Sequence, residues 1–391
     1  MGRFSPGVLI ILGALAALGA AAIDMYLPAL PSIERELGAQ LGKSQHTLSA
    51  FFIGLGIGQL FYGSLSDAFG RRRTLMAGIV VYCAASFLCS FADNMVELIW
   101  ARFLQALGAA SGGVIARAMV RDVFTLDKAA QAQSIINLAF SITPLIAPSI
   151  GGWLLIWFGW RAIFFALSGF GVVCLIALYL KVPETLRVEK RNRLSFRAIF
   201  HGYWMIARNR RSVGCILTGA FAFSCMFTYF AASPFIFIEL FGIPDEYYGL
   251  LFGVNVLGII GANIVNARNV VKQGPILMLR IGISILSFGS IALFLSIFFT
   301  QGGILGILIP LFFIVGSLGF VGANAIALAL DPFPDLAGTT ASLFGFVQMM
   351  LGAVAGVVVG FMHDGTVLPM GIIVLVFSLF SASSLIYFVR D

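Results

Sequence analysis

Twelve apolar stretches of about 20 residues, joined by short polar connections, constrain this chain more than any other feature. A helix rises about 1.5 Å per residue, so each stretch can cross a hydrocarbon layer about 30 Å thick. The stretches run near 6–33, 45–66, 74–92, 96–120, 132–157, 161–181, 212–238, 246–267, 275–299, 303–329, 338–362 and 367–389. Strands of an outer-membrane barrel would alternate in hydrophobicity, whereas these runs are continuous. Only 10% of the 391 residues are charged and 60% are hydrophobic, against about 25% charged in soluble domains. The sequence therefore predicts an all-α integral membrane protein with 12 transmembrane helices.

The one long polar connection holds Arg187, Lys190, Arg191, Arg193, Arg197, Arg208, Arg210 and Arg211 against Glu184 and Glu189. It divides the chain into an N-terminal six-helix bundle over 1–181, a basic linker over 182–211 and a C-terminal six-helix bundle over 212–391. With the N-terminus inside, only Arg35, Lys43 and Arg161 of the 24 Lys and Arg fall outside, and Arg102 and Arg117 lie within the fourth span. That bias predicts both termini and the linker in the cytoplasm. It also accounts for the net charge of +7 without a nucleic-acid partner. Arg3, an apolar run and Ala20–Ala22 resemble a secretory leader, but the run is long and eleven more spans follow, so it reads as the first span. Cys83, Cys89, Cys174, Cys215 and Cys225 all fall in apolar runs without metal-ligand spacing, so neither a metal site nor a disulfide is expected. His46, His201 and His363 lie at span ends or in loops and suggest no role.

Asp24 is the costly residue. It follows 17 uncharged residues, Gly7 to Ile23, and so lies about 26 Å along the first span. An ionisable group inside the hydrocarbon costs about 2.5–3.5 kcal/mol on insertion scales and signals function. Span four, running the other way, places Arg102 about 9 Å below the outer surface. The two opposite charges reach matching heights, as a buried pair requires. The plainer alternative for Arg102 is snorkelling to the outer headgroups.

After span two comes Gly63-Ser-Leu-Ser-Asp67-Ala-Phe-Gly70-Arg71-Arg72-Arg73. Gly63 permits close helix approach, Asp67 suits a helix N-terminus or an arginine, and the arginines anchor at the inner lipid surface. This spacing resembles the gate motif of the major facilitator superfamily, which implies that fold: two related six-helix bundles. Span five, SIINLAFSITPLIAPSIGG, also lies tolerably against span eleven, SLFGFVQMMLGAVAGVVVG, as related halves would. The counterpart of the gate motif after span eight, Gly261 to Arg268, has lost its acid, so the gate is expected to be asymmetric.

Span five carries Thr143-Pro144-Leu-Ile-Ala147-Pro148-Ser-Ile-Gly151-Gly152, which resembles a variant of the superfamily's antiporter motif. Generic packing of small residues is the plainer reading. Asp24-Met-Tyr-Leu-Pro28-Ala-Leu-Pro31, Arg117-Ala-Met-Val-Arg121-Asp122 and Asp331-Pro-Phe-Pro334 with Ala337-Gly338-Thr339 together resemble the bicyclomycin-resistance (Bcr/CflA) drug-export family along nearly the whole chain. That resemblance implies a coupling role for Asp24 and Arg102. Some relatives carry a second acid where this chain has Ala16.

The polar residues within spans, Tyr26, Gln59, Gln105, Asn137, Tyr229, Asn255, Asn263, Asn324 and Gln348, are candidates for the substrate cavity. Helix–helix hydrogen bonds are the competing use for each. Phe140, Phe223, Phe227 and Phe346 are candidates for its apolar wall. The resemblance implies a monomeric drug:proton antiporter of the bacterial inner membrane, exporting small, largely apolar compounds by alternating access. No cofactor is expected beyond the proton as coupling ion. The alternative within transport is proton-coupled export or import of a metabolite such as an amino acid. A membrane-embedded enzyme would need clustered His and Asp or a surface nucleophile, and the sequence offers none.

Overall fold

In the computed structural model, residues 6–40, 42–124, 126–191, 196–300 and 303–389 are described, and they are helical almost throughout. Helix α1 (Pro6–Asp24) is followed by a short α2 (Leu30–Glu36), then α3 (Gln45–Phe69), α4 (Arg71–Cys89), α5 (Met95–Val123), α6 (Leu126–Phe158) and α7 (Trp160–Lys181). A linker helix, α8 (Phe196–Arg208), precedes α9 (Arg210–Pro234), α10 (Asp245–Gln273), α11 (Pro275–Thr300), α12 (Ile304–Leu330), α13 (Ala337–Met362) and α14 (Leu368–Phe388). Among the described residues, eleven crossings are long and apolar enough to span a membrane. The remaining one is α6, 33 residues long, whose Ile142–Phe158 portion is apolar. Among the described residues there is no strand.

Local chemistry sets the breaks that matter for the site. Pro28 has no N–H to continue α1 and disfavours a helical residue before it. The chain therefore turns at Met25–Tyr26 into a 3-10 segment, Leu27–Ala29, before α2. Gly70, at φ 97°, separates α3 from α4 in a conformation that other residues rarely adopt. Asn94 caps α5 by accepting from the Glu97 amide at 3.0 Å, while Glu97 accepts from the Asp93 amide in return.

Helices α1 and α3 to α7 pack among themselves, and so do α9 to α14. Contact between these groups runs mainly along two pairs, α3 with α13 and α6 with α10. Outward faces carry large apolar side chains such as Trp153, Trp157, Phe158 and Phe298, as acyl-chain contact requires. All five cysteines are buried and unpaired.

The linker differs from its sequence reading in one respect. Its second part is the amphipathic helix α8, tied down by the Tyr203 hydroxyl, which donates to the Leu60 carbonyl at 2.9 Å. Burial pushes the Tyr203 phenol up to about 12, with the Ser342 hydroxyl pulling slightly the other way.

Candidate functional site

Between the two groups of helices lies a cavity of about 1000 Å³. Its mouth is at the linker end, where Asp67, Arg71, Arg117, Arg121, Tyr203, Asp335 and Thr339 line it. It runs inward along the α1 face Ala16, Ala20, Ile23 and Asp24, and along α5 as far as Ala109. Phe223, Phe227, Phe230, Phe252 and Phe344 supply apolar wall, broken by Gln59, Tyr229, Asn255, Asn263 and Gln348.

The far end is shut by close backbone approach. A Cβ on Gly152 of α6 would stand 2.6 Å from the Asp245 carbonyl oxygen at the start of α10. One on Gly249 of α10 would stand 2.6 Å from the Ser149 amide nitrogen. Gly42 and Gly360 meet in the same manner. His46 edges onto Phe361 with ring centroids 5.6 Å apart, a contact between the two groups of helices that the sequence did not suggest. Of the motif residues on α6, Pro144 lines the cavity, Gly151 abuts the Met25 carbonyl at the end of α1, and Gly152 belongs to the seam. Pro148 is buried one turn before Gly152.

Asp24 sits at the closed end of the cavity, 2% exposed, and its Oδ2 has no hydrogen-bond partner. The expected ion pair with Arg102 is absent. Arg102 is fully buried at that level, but its Nη1 donates to the Ala22 carbonyl at 3.0 Å and to Gln105 Oε1 at 2.6 Å. Its guanidinium lies 4.3 Å from the Tyr26 ring centroid and 4.2 Å from that of Phe51. The turn explains this arrangement. The Tyr26 amide bonds the Ile23 carbonyl instead of Ala22, leaving the Ala22 oxygen for a cation at the negative end of α1. Arg102 thus caps the helix whose last residue is Asp24. Snorkelling does not describe it either, because the side chain is wholly enclosed.

Three expected cavity residues lie behind the wall. Tyr26 bonds the Thr47 hydroxyl at 2.7 Å, and Gln105 donates to the Ser86 hydroxyl at 2.8 Å. Asn324 donates to Asn266 Oδ1 at 2.7 Å and joins α12 to α10. Each serves as a helix–helix hydrogen bond, the competing use. The side chains of Asn137 and Phe140 lie outside the described residues, and Phe346 does not line the cavity.

At the mouth, Gly63, Asp67 and Arg71 line the cavity. Arg71 pairs with Asp67 at 2.5 Å and with Asp122 of α5 at 3.0 Å, while Arg72 donates to the Tyr179 carbonyl at 2.6 Å. Glu184, read from sequence only as a negative charge in a basic linker, accepts from the Arg71 and Arg72 amides at 3.0 and 3.2 Å. It therefore caps α4 from the start of the linker. Thr185 then donates to Asp122 at 3.0 Å. No local pattern announced Glu184, because its partners are 112 and 113 positions away.

The Major Facilitator Superfamily model matches residues 9–357. A bicyclomycin resistance protein homolog of Haemophilus influenzae is 32% identical over 362 residues, covering 93% of this chain and 91% of that protein. Multidrug resistance protein D of Escherichia coli K12 is 29% identical over 347 residues, covering 87% and 85%. Among solved structures, that of a D-xylose-proton symporter superposes with a TM-score of 0.74 over 96% of each chain, at 17% identity. That likeness speaks to the fold alone.

Proposed function

Since this chain belongs to the Major Facilitator Superfamily and is a multi-pass membrane transporter rather than an enzyme, we propose that it exports small, largely apolar toxic compounds in exchange for protons. The reading places it in the bacterial inner membrane as a monomer, with the linker and both termini in the cytoplasm. The mouth of the cavity then faces the cytoplasm and the seam faces outward, so the structure is the inward-facing member of an alternating pair.

One observation carries the proposal: a roomy, aromatic-walled cavity ends at a single buried carboxylate with no cation beside it. A volume of about 1000 Å³ suits a drug-sized guest. Apolar walls give affinity without demanding one shape, and Gln59, Asn255 and Gln348 offer hydrogen bonds. The names of the relatives, a bicyclomycin resistance homolog and a multidrug resistance protein, favour such guests over a metabolite. An uncompensated carboxylate is costly at this depth. Binding a proton, or a cationic guest, relieves that cost, and the two exclude each other at one site. Exchange follows if only the occupied forms change their side of access.

The test is drug-driven proton movement in everted vesicles. Wild type should show it and Asp24→Asn should not. Undiminished coupling in the variant would remove Asp24 from the mechanism. A susceptibility panel in an exporter-deficient host tests the substrate class, and a wild-type chain giving no resistance to any compound would favour a metabolite.

A further inference from the structure

On the outer face of the second helical group, a groove of about 680 Å³ lies between α11 and α14 toward the linker end. It is separate from the central cavity. The α11 side presents Arg280, Ser284, Ser287 and Phe288, and the α14 side presents Ala382 and Ile386. The spacing i, i+4, i+7, i+8 puts the α11 residues on one face, and from Arg280 to Phe288 it climbs about 12 Å. The headgroup layer on one side of a bilayer is about 5–8 Å deep, so the stripe begins among headgroups and ends among acyl chains.

The two serines bring free hydroxyl groups to this stripe. Serines within membrane helices commonly satisfy their hydroxyl on a carbonyl one turn back. Ser290 does so on Leu286 at 2.7 Å, and Ser317 on Ile314 at 2.6 Å. Among the described residues, neither Ser284 nor Ser287 makes such a bond, and Ser284 is exposed on the lipid-facing side. An unpartnered polar group in that setting is costly.

We propose that this groove binds an anionic phospholipid of the surrounding leaflet. Its phosphate accepts from Arg280, whose five donors can serve a phosphate together with another contact. The glycerol ester oxygens accept from Ser284 and Ser287. The first acyl methylenes lie against Phe288, Ala382 and Ile386. The Arg210 guanidinium, held by the Tyr387 carbonyl at 2.7 Å, adds positive charge at the same end of α14. A soluble anion would leave the apolar floor bare, and a zwitterionic lipid would gain less from the arginine.

Native mass spectrometry of the full-length protein titrated with phosphatidylglycerol or phosphatidylcholine of identical acyl chains tests this. Wild type should prefer phosphatidylglycerol, and Arg280→Gln should lower that affinity about fivefold, the worth of one basic residue at an anionic surface. Ser284→Phe fills the groove on a lipid-facing position, leaves the charge in place and should lower it too. Lys272→Gln, equally exposed at the linker end but outside the groove, should not. Equal binding of the two lipids by wild type, or equal losses in Arg280→Gln and Lys272→Gln, would overturn the assignment. Displacement of the lipid by millimolar inorganic phosphate would also overturn it, by showing that the acyl contacts contribute nothing.

Discussion

Gly152→Ala should bias the protein toward opening at the far end. The added Cβ would stand 2.6 Å from the Asp245 carbonyl oxygen and 3.2 Å from its carbon. A relaxed carbon–oxygen contact is about 3.3–3.6 Å, so the ends of α6 and α10 must part by about 0.7–1 Å. Both partners are backbone, so no change of rotamer relieves the overlap. Overpacking of this kind costs about 1–3 kcal/mol. It is charged only to the state in which the seam is closed, which shifts the two-state ratio by about 5–150-fold. Spin labels on Lys43 and Asp364, exposed at the far end in opposite helical groups, report the separation directly, and the native cysteines are buried. The longer-distance population should grow in Gly152→Ala. It should not grow in Gly169→Ala, whose Cβ would meet nothing within 4 Å. A folded Gly152→Ala protein with the wild-type distance distribution would refute the idea that this seam is the outer gate.

Arg102→Met should leave thermal stability within about 1–2 kcal/mol, because relief of a buried charge offsets the lost bonds, yet transport should fall as the end of α1 loses its cap. Transport at the wild-type level in that variant would show the capping bond to be dispensable. Glu184→Ala should destabilise the start of the linker by about 1 kcal/mol, since it removes an exposed helix cap, and tryptic cleavage at Arg187 should quicken. Tyr203→Phe removes the bond to Leu60, a loss of about 1 kcal/mol, and should raise amide exchange along α8. With the phenol pushed up to about 12, the wild-type tether should show no loosening as the pH is raised to about 10.

What the sequence made legible was whatever depends on one helix at a time. Apolar run length announced the crossings, and the gate spacing announced a motif whose Arg71 is held by Asp67 and Asp122. The cost of a lone carboxylate singled out Asp24. Contacts between distant segments were not legible. Matching heights placed Arg102 beside the end of α1 but could not say which acceptor it would meet, because a freed carbonyl depends on how the chain turns before Pro28. Glu184 was hidden for the same reason, since capping α4 is a tertiary act. The amphipathic α8 was masked by its charges, which read as a simple basic linker.

The cavity's boundary explains most of the misplaced residues. On α5 its lining recurs at Ala109, Gly113 and Arg117, and the same helical stripe continues one and two turns outward to Gln105 and Arg102. On α1 the lining ends at Asp24, and Tyr26 is the next polar side chain outward. Apart from Asn324, which joins α12 to α10, the residues expected at the site but found behind its wall are therefore not scattered. Tyr26, Arg102 and Gln105 lie just beyond the closed end, in the direction that opens if the Gly152–Asp245 seam parts. Asp24, at the boundary, is the one charged residue that both arrangements of the same two stripes would share. Under the exchange proposed above, a single carboxylate with access to either side in turn suffices, so no second acid is needed at Ala16, which is apolar wall.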